Sequence, residues 1–181
     1  MRPFLLGLAL GAAPVAVAAP TVEDKAAPLL DRLAHAPDTG SARDLEAQLL
    51  AVWTDRLSPT ARLMTRRAER EIGDHRYGDA VADLNDTLAM QPGESELWRR
   101  LALAQAEAGD DDAAIRSLGG ALSREPRNIF AWRDLSMIEE SRHDDAAALR
   151  AWQKLLELDP KTDGAQARAK ALDLKANGAP T

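Results

Sequence analysis

Prolines recur at Pro92, Pro126 and Pro160, a constant 34 residues apart. Three more ladders keep the same step: Ala80, Ala114 and Ala148; Leu84, Leu118 and Trp152; Met64, Trp98 and Trp132. A period of about 20–50 residues marks an array of stacked units, because one unit cannot bury its apolar face alone and its neighbours must cover it.

The middle unit reads as two helices. Trp98, Leu101, Ala102 and Gln105 recur at helical spacing along the first. Gly109 stops it, because glycine tolerates the left-handed conformation that follows a helix end. Asp110, Asp111 and Asp112 come next, and carboxylates there accept free N–H groups and match the dipole of a second helix. That helix carries Ala114, Ile115, Leu118, Ala121 and Leu122 on one stripe, and Pro126 ends it. Ala80, Ala114 and Ala148 fall where two helices of a hairpin approach closely, and a larger side chain there would cost about 1–3 kcal/mol. Gly119-Gly120 breaks the helical pattern at about 1 kcal/mol per glycine. It is either tolerated drift or a place where bulk is excluded, with a flexible point in the stack as a third reading.

Trp98-x2-Leu101-Ala102, Ala114-x3-Leu118 and Pro126 in this unit, with Trp132-x2-Leu135-Ser136, Ala148-x3-Trp152 and Pro160 in the next, resemble the tetratricopeptide repeat (TPR). The preceding unit keeps Ala80, Leu84 and Pro92 but has Met64, Arg67 and Ala68 at its front. The family's first-helix tyrosine is replaced by Gln105 and Glu139. The resemblance implies an all-α, right-handed α-solenoid of about three helix hairpins (61–94, 95–128 and 129–162), with helical caps at both ends.

The flanks fit that role, since an array needs ends that cover its terminal apolar faces. Pro28–Ala36 and Ala42–Leu57 read as a helix pair of different spacing within an N-terminal tail and cap over 19–60, with Trp53 expected to dock on the first repeat. Residues 163–181 hold a further capping helix, Ala165–Lys175, and a tail; its stripe is Ala165, Ala169, Leu172 and Ala176, and Gln166, Arg168 and Lys170 are expected to face water. Ala19–Ala27 and Asn177–Thr181 read as mobile tails. Residues 1–18 read as a signal peptide: Arg2, an apolar run from Phe4 to Leu10, and Ala16-Val17-Ala18 as the cleavage motif. Cleavage after Ala18 implies a periplasmic or secreted protein. A membrane contact is expected only if that segment is retained, and the run is short and broken by Gly7, Gly11 and Pro14.

Composition narrows the chemistry. The net charge is −6 and no run of Lys or Arg exceeds a pair, which argues against nucleic acid. The chain has no cysteine, so disulfides, thiolate chemistry and Cys-based zinc sites are excluded. His75 and His143 occupy equivalent turns two repeats apart, His35 lies in the cap, and no pair has metal-binding i, i+4 spacing. Asp110-Asp111-Asp112 lacks the alternation of a calcium loop and is read as helix capping, repeated at Asp144-Asp145. No nucleophile elbow or phosphate loop is present. No catalytic residue, metal site or cofactor is therefore assigned.

What remains is a surface. In the family's architecture the first helices line the concave side. Arg62, Arg99 and Arg133 would form a basic thread along it, with Leu103, Phe130 and Met137 beside it as apolar contact. Arginine grips a carboxylate through two parallel hydrogen bonds, so the expected partner is another protein or a peptide with acidic groups. One branch of the family clamps C-terminal carboxylates with Lys and Asn. The matching positions here hold Thr65, Arg66, Glu69 and Arg100, without Asn, so that role is not carried over. The expected function is a non-catalytic scaffold or adaptor of the cell envelope. A self-assembling structural oligomer and an accessory subunit of an envelope enzyme complex are the alternatives.

Overall fold

The computed structural model describes residues 22–178; the signal-peptide reading falls outside them. Among the described residues there are helices and no strand. They are α1 (Val22–Leu33), α2 (Thr39–Asp55), α3 (Pro59–Gly73), α4 (Tyr77–Met90), α5 (Ser95–Glu107), α6 (Asp111–Arg124), α7 (Ile129–Ser141), α8 (Asp145–Leu158) and α9 (Ala165–Asn177). Each of α3/α4, α5/α6 and α7/α8 is an antiparallel hairpin stacked on the next, an all-α solenoid. None of these helices is long and apolar enough to cross a membrane.

Helix ends follow from local chemistry. Asp110 and Asp144 accept from the backbone N–H groups of Ala113 and Ala147, each at 2.9 Å, as the acidic turns require. Asp38, Ser58 and Asn128 cap α2, α3 and α7 in the same way. Such caps contribute about 1 kcal/mol each. The first helix of each repeat ends on a left-handed residue, at His75 (φ 59°), Gly109 (φ 81°) and His143 (φ 63°). The two histidines thus stand where the middle repeat uses glycine.

The small-residue ladder closes the hairpins. Ala80, Ala114 and Ala148 are fully buried, and the facing first helices bring Ala68, Ala102 and Ser136 to the same depth. Ser136 Oγ donates to the Ala148 carbonyl at 3.0 Å, so its hydroxyl is satisfied inside the hairpin. The positions that replace the family tyrosine are polar and partnered: Gln105 accepts from Ser117 Oγ at 2.7 Å, and Glu139 pairs with Arg142 at 3.4 Å. A buried chain ties neighbouring repeats together. Asn128 Nδ2 donates to Ser95 Oγ at 2.9 Å, and Ser95 Oγ donates to the Ala121 carbonyl at 3.0 Å. Trp98 and Trp132 each donate Nε1 to the carbonyl of the proline that ends the previous unit, Pro92 and Pro126, at 2.9 Å.

The ends differ from the sequence expectation. Val22 to Ala27 belong to α1, not to a tail, and Ala26 is buried; Pro28 lies inside the helix. Thr39, Gly40 and Ser41 open α2 instead of separating it from α1, because Asp38 supplies the cap. Arg168 of α9 is not a solvent-facing side chain: it pairs with Glu140 at 2.6 Å and lies over the Trp152 ring. Trp53 does not dock on the first repeat. It joins one buried cluster with Leu30, Leu45 and Leu49 of its own hairpin and with Ile129, Trp152 and Leu155 of the third repeat. Its ring meets Phe130 edge-on at 5.8 Å. The reason is shape: Phe130 is the large aromatic on the inner face of the stack, and an edge-to-face aromatic pair contributes about 0.5–1.5 kcal/mol beyond burial.

Candidate functional site

The inner face of the stack is built by α3, α5 and α7, and the α1–α2 hairpin is folded against its C-terminal half. Ion pairs mark the line of contact. Arg43 makes two bonds to Asp163, at 2.7 and 2.9 Å. Glu46 accepts from Arg133 Nη2 at 2.7 Å, Asp31 accepts from Arg127 at 2.7 Å, and Arg56 meets Glu94 at 3.1 Å. The helix α2 thus runs from the α8–α9 connection, past α7, to the start of α5. Ala42, Leu45, Leu49 and Trp53 form its buried stripe.

This arrangement changes the reading of the basic thread. Arg99 and Arg133 do come together, their guanidinium carbons 5.7 and 5.6 Å from the Phe130 ring centroid. Neither is a free cation. Arg99 is 11% exposed and grips Glu96 through two bonds of 2.9 Å, and it reaches Asp134 of the next repeat at 2.8 Å. Desolvation works against its charge, yet the bonds and negative charge of Glu96, with Asp134, hold its pKa above the usual arginine value. Glu96 is 1% exposed and also accepts from Arg100 at 2.7 Å. The Arg99 network is therefore an inter-repeat tie, which corrects its assignment as a partner-binding residue. Arg133 divides its donors between Glu46 and Thr162, the latter at 2.8 Å. Phe130 is covered by Trp53 and is not an exposed apolar contact.

The Glu46–Arg133 contact has a third member. Asp159 is fully buried, its Oδ2 lies 3.9 Å from Arg133 Nη2, and the nearest backbone donor is the N–H of Lys161. Glu46 lies within hydrogen-bonding reach of it. Both carboxylates face the same Arg133 nitrogen. Burial first, and then the Glu46 carboxylate, raise the Asp159 pKa to about 7.

The N-terminal half of the inner face is open. Thr65, Glu69, Arg100 and Leu103 line it, with Ile72 at its apolar floor and Arg62 and Arg66 at its rim. Arg66 has no ion-pair partner among the described residues, and the Arg62–Asp55 contact is loose at 3.5 Å. Met137, at 53% exposed, is apolar surface at the other end of the groove, beside Glu46 and Arg133. Of the six residues in the expected groove, Arg62, Leu103 and Met137 are accessible, whereas Arg99, Phe130 and Arg133 are engaged within the chain. Sequence reasoning missed Glu46, Asp134 and Asp159. The clue was present in α2, whose Leu45, Leu49 and Trp53 exceed what one short hairpin partner can cover.

No protein-family model matches this sequence, and no curated protein matches it. Solved structures do. The TPR2B domain of yeast Sti1 in complex with pHsp70 aligns at a TM-score of 0.57 and 19% identity, over 66% of this chain and 97% of that one. The Yersinia enterocolitica type III secretion chaperone SycD, in complex with a peptide of the translocator YopD, aligns at 0.56 and 14% identity, over 66% and 91%. MamA protein aligns at 0.52 and 16% identity, over 86% and 90%. With the repeat geometry above, these likenesses establish the fold, that of a tetratricopeptide-repeat array.

Proposed function

We propose that this protein is a non-catalytic interaction scaffold of the cell envelope, receiving a segment of a partner protein in its concave groove. One observation carries the reading: the groove already holds a helix. Its own α2 presents Glu46 to Arg133 and Trp53 to Phe130, an example of the chemistry this surface accepts, an acidic group beside a large apolar one. The peptides in the Sti1 and SycD complexes support the same use of the fold. The open half adds Arg62 and Arg66 beside an apolar floor and fits a segment with carboxylates, whereas Arg100 is taken up by Glu96 and Glu69. The envelope location rests on the leader read over residues 1–18, with cleavage after Ala18.

The test is capture from an envelope extract by the chain beginning at Ala19, in parallel with its Arg62→Glu/Arg66→Glu variant. Both substitutions lie at the groove rim, outside the buried ion pairs. A protein retained by the first and lost from the second identifies the partner and places it in the open half. Equal retention moves the interface elsewhere, and no retention by either removes the scaffold reading.

A further inference from the structure

We infer that the α1–α2 hairpin is a releasable occupant of the C-terminal half of the groove, latched where Glu46 of α2 and the buried Asp159 face a single arginine, Arg133. This rests on reading the groove as the partner site and adds its regulation. The hairpin is built to dock incompletely. Trp53 Nε1 at its contact is buried without a partner. Such a group opposes docking, since water would satisfy it on release. The hinge to the first repeat is short, Arg56-Leu57-Ser58, and both sides of it are independently capped. Release would uncover Phe130 and free Arg133 from Glu46.

The charges around the latch come from every element that meets there. On α2 they are Glu46 and Arg43; on α7, Arg133; on the α8–α9 connection, Asp159 and Asp163, with the backbone N–H of Lys161 nearby; on α9, Arg168. Arg43 is taken up by Asp163 and Arg168 by Glu140, so Arg133 alone faces both carboxylates. One arginine cannot neutralise two ionised acids in a buried position. Docking therefore binds a proton. Burial and the Glu46 carboxylate raise the docked Asp159 to about 7, and release removes both causes and lowers it toward the ordinary aspartate range. The docked state is favoured fully in acid, loses that advantage as pH rises across this interval, and gains nothing further above it. In the steep part the opening ratio rises by up to about tenfold per pH unit.

Hydrogen exchange followed by mass spectrometry on the full chain tests this without any partner. Wild type is compared with Asp159→Asn at each pH from 5 to 8, so intrinsic exchange rates cancel. The side-chain amide introduced by this substitution donates to Glu46 without titrating. The expected result is that exchange of α2 in the wild type accelerates relative to the variant by tenfold or more between pH 5 and 7, while α3–α6 exchange alike in both. Glu46→Gln should flatten the same pH dependence from the other side of the contact. A ratio that stays constant with pH overturns the proposal. So does acceleration of α3–α6 in step with α2, which would mean global unfolding. Neither result bears on whether the open half captures a partner.

Discussion

The indole of Trp98 packs directly on the Cα of Gly120: a Cβ at that position would come within 2.6 Å of Trp98 Cε3. Gly119, one residue earlier, has nothing within 4 Å of the corresponding point. The two adjacent glycines of α6 therefore have opposite reasons to be there. Gly120→Ala should destabilise the protein by about 1–3 kcal/mol through overpacking. Gly119→Ala should stabilise it by about 0.5–1 kcal/mol by restoring helix propensity. Urea denaturation of the two single variants checks both signs, and a gain at residue 120 would contradict the contact.

The left-handed histidines predict another gain. A non-glycine residue in that conformation costs about 1–2 kcal/mol. His75 recovers part of this through a 2.7 Å hydrogen bond with the Tyr77 hydroxyl, which His143 lacks. Allowing for the extra freedom glycine gives the unfolded chain, His143→Gly should still raise stability by about 0.5 kcal/mol, and His75→Gly by less. Thermal melting of both variants at one pH is the measurement.

Arg99 should behave as a structural residue. Arg99→Glu places a third carboxylate between Glu96 and Asp134 and removes their shared cation. Loss of one partner from a buried pair costs about 3–5 kcal/mol. Reduced helicity or a much lower melting temperature is expected, and binding assays on this variant would report unfolding. Arg66→Glu, on the exposed rim, should change stability by no more than about 0.5 kcal/mol.

Trp53 should hold the hairpin more than it holds the repeats. Trp53→Ala removes the aromatic centre of the contact with Phe130, at about 3–5 kcal/mol for a buried tryptophan. Limited trypsin digestion should then cut first at Arg56, releasing the hairpin while α3–α6 persist. Cleavage spread evenly over the repeats would show that the hairpin and the array cannot be separated.

The repeats were legible because their constraints are local and recur. Pro92, Pro126 and Pro160 end helices by chain geometry, and Ala80, Ala114 and Ala148 are small because a neighbouring helix touches them. Asp110 and Asp144 cap through a bond three residues away. The position of the hairpin was not legible. Trp53 is apolar enough to be buried, but nothing in a periodic pattern says which repeat will bury it. The same limit hid the roles of the arginines. Arg99 and Arg133 are one period apart and do flank one ring, as spacing implies, yet beyond Glu96 on the same helix the acids that neutralise them are Asp134 one repeat on and Glu46, 87 positions earlier in the chain.

Arrays of this kind behave as one-dimensional lattices in which each unit senses only its neighbours, so they can fray from either end. The bonds from Arg43 to Asp163 and from Asp31 to Arg127 span 120 and 96 residues of sequence and change that connectivity. They turn a linear stack into a loop whose first helices wait for its last. Contacts so distant along the chain slow folding, because closure entropy is lost before they form. A ribosome must finish α8 before α2 has a seat, so the N-terminal hairpin, made first, is the last element able to settle.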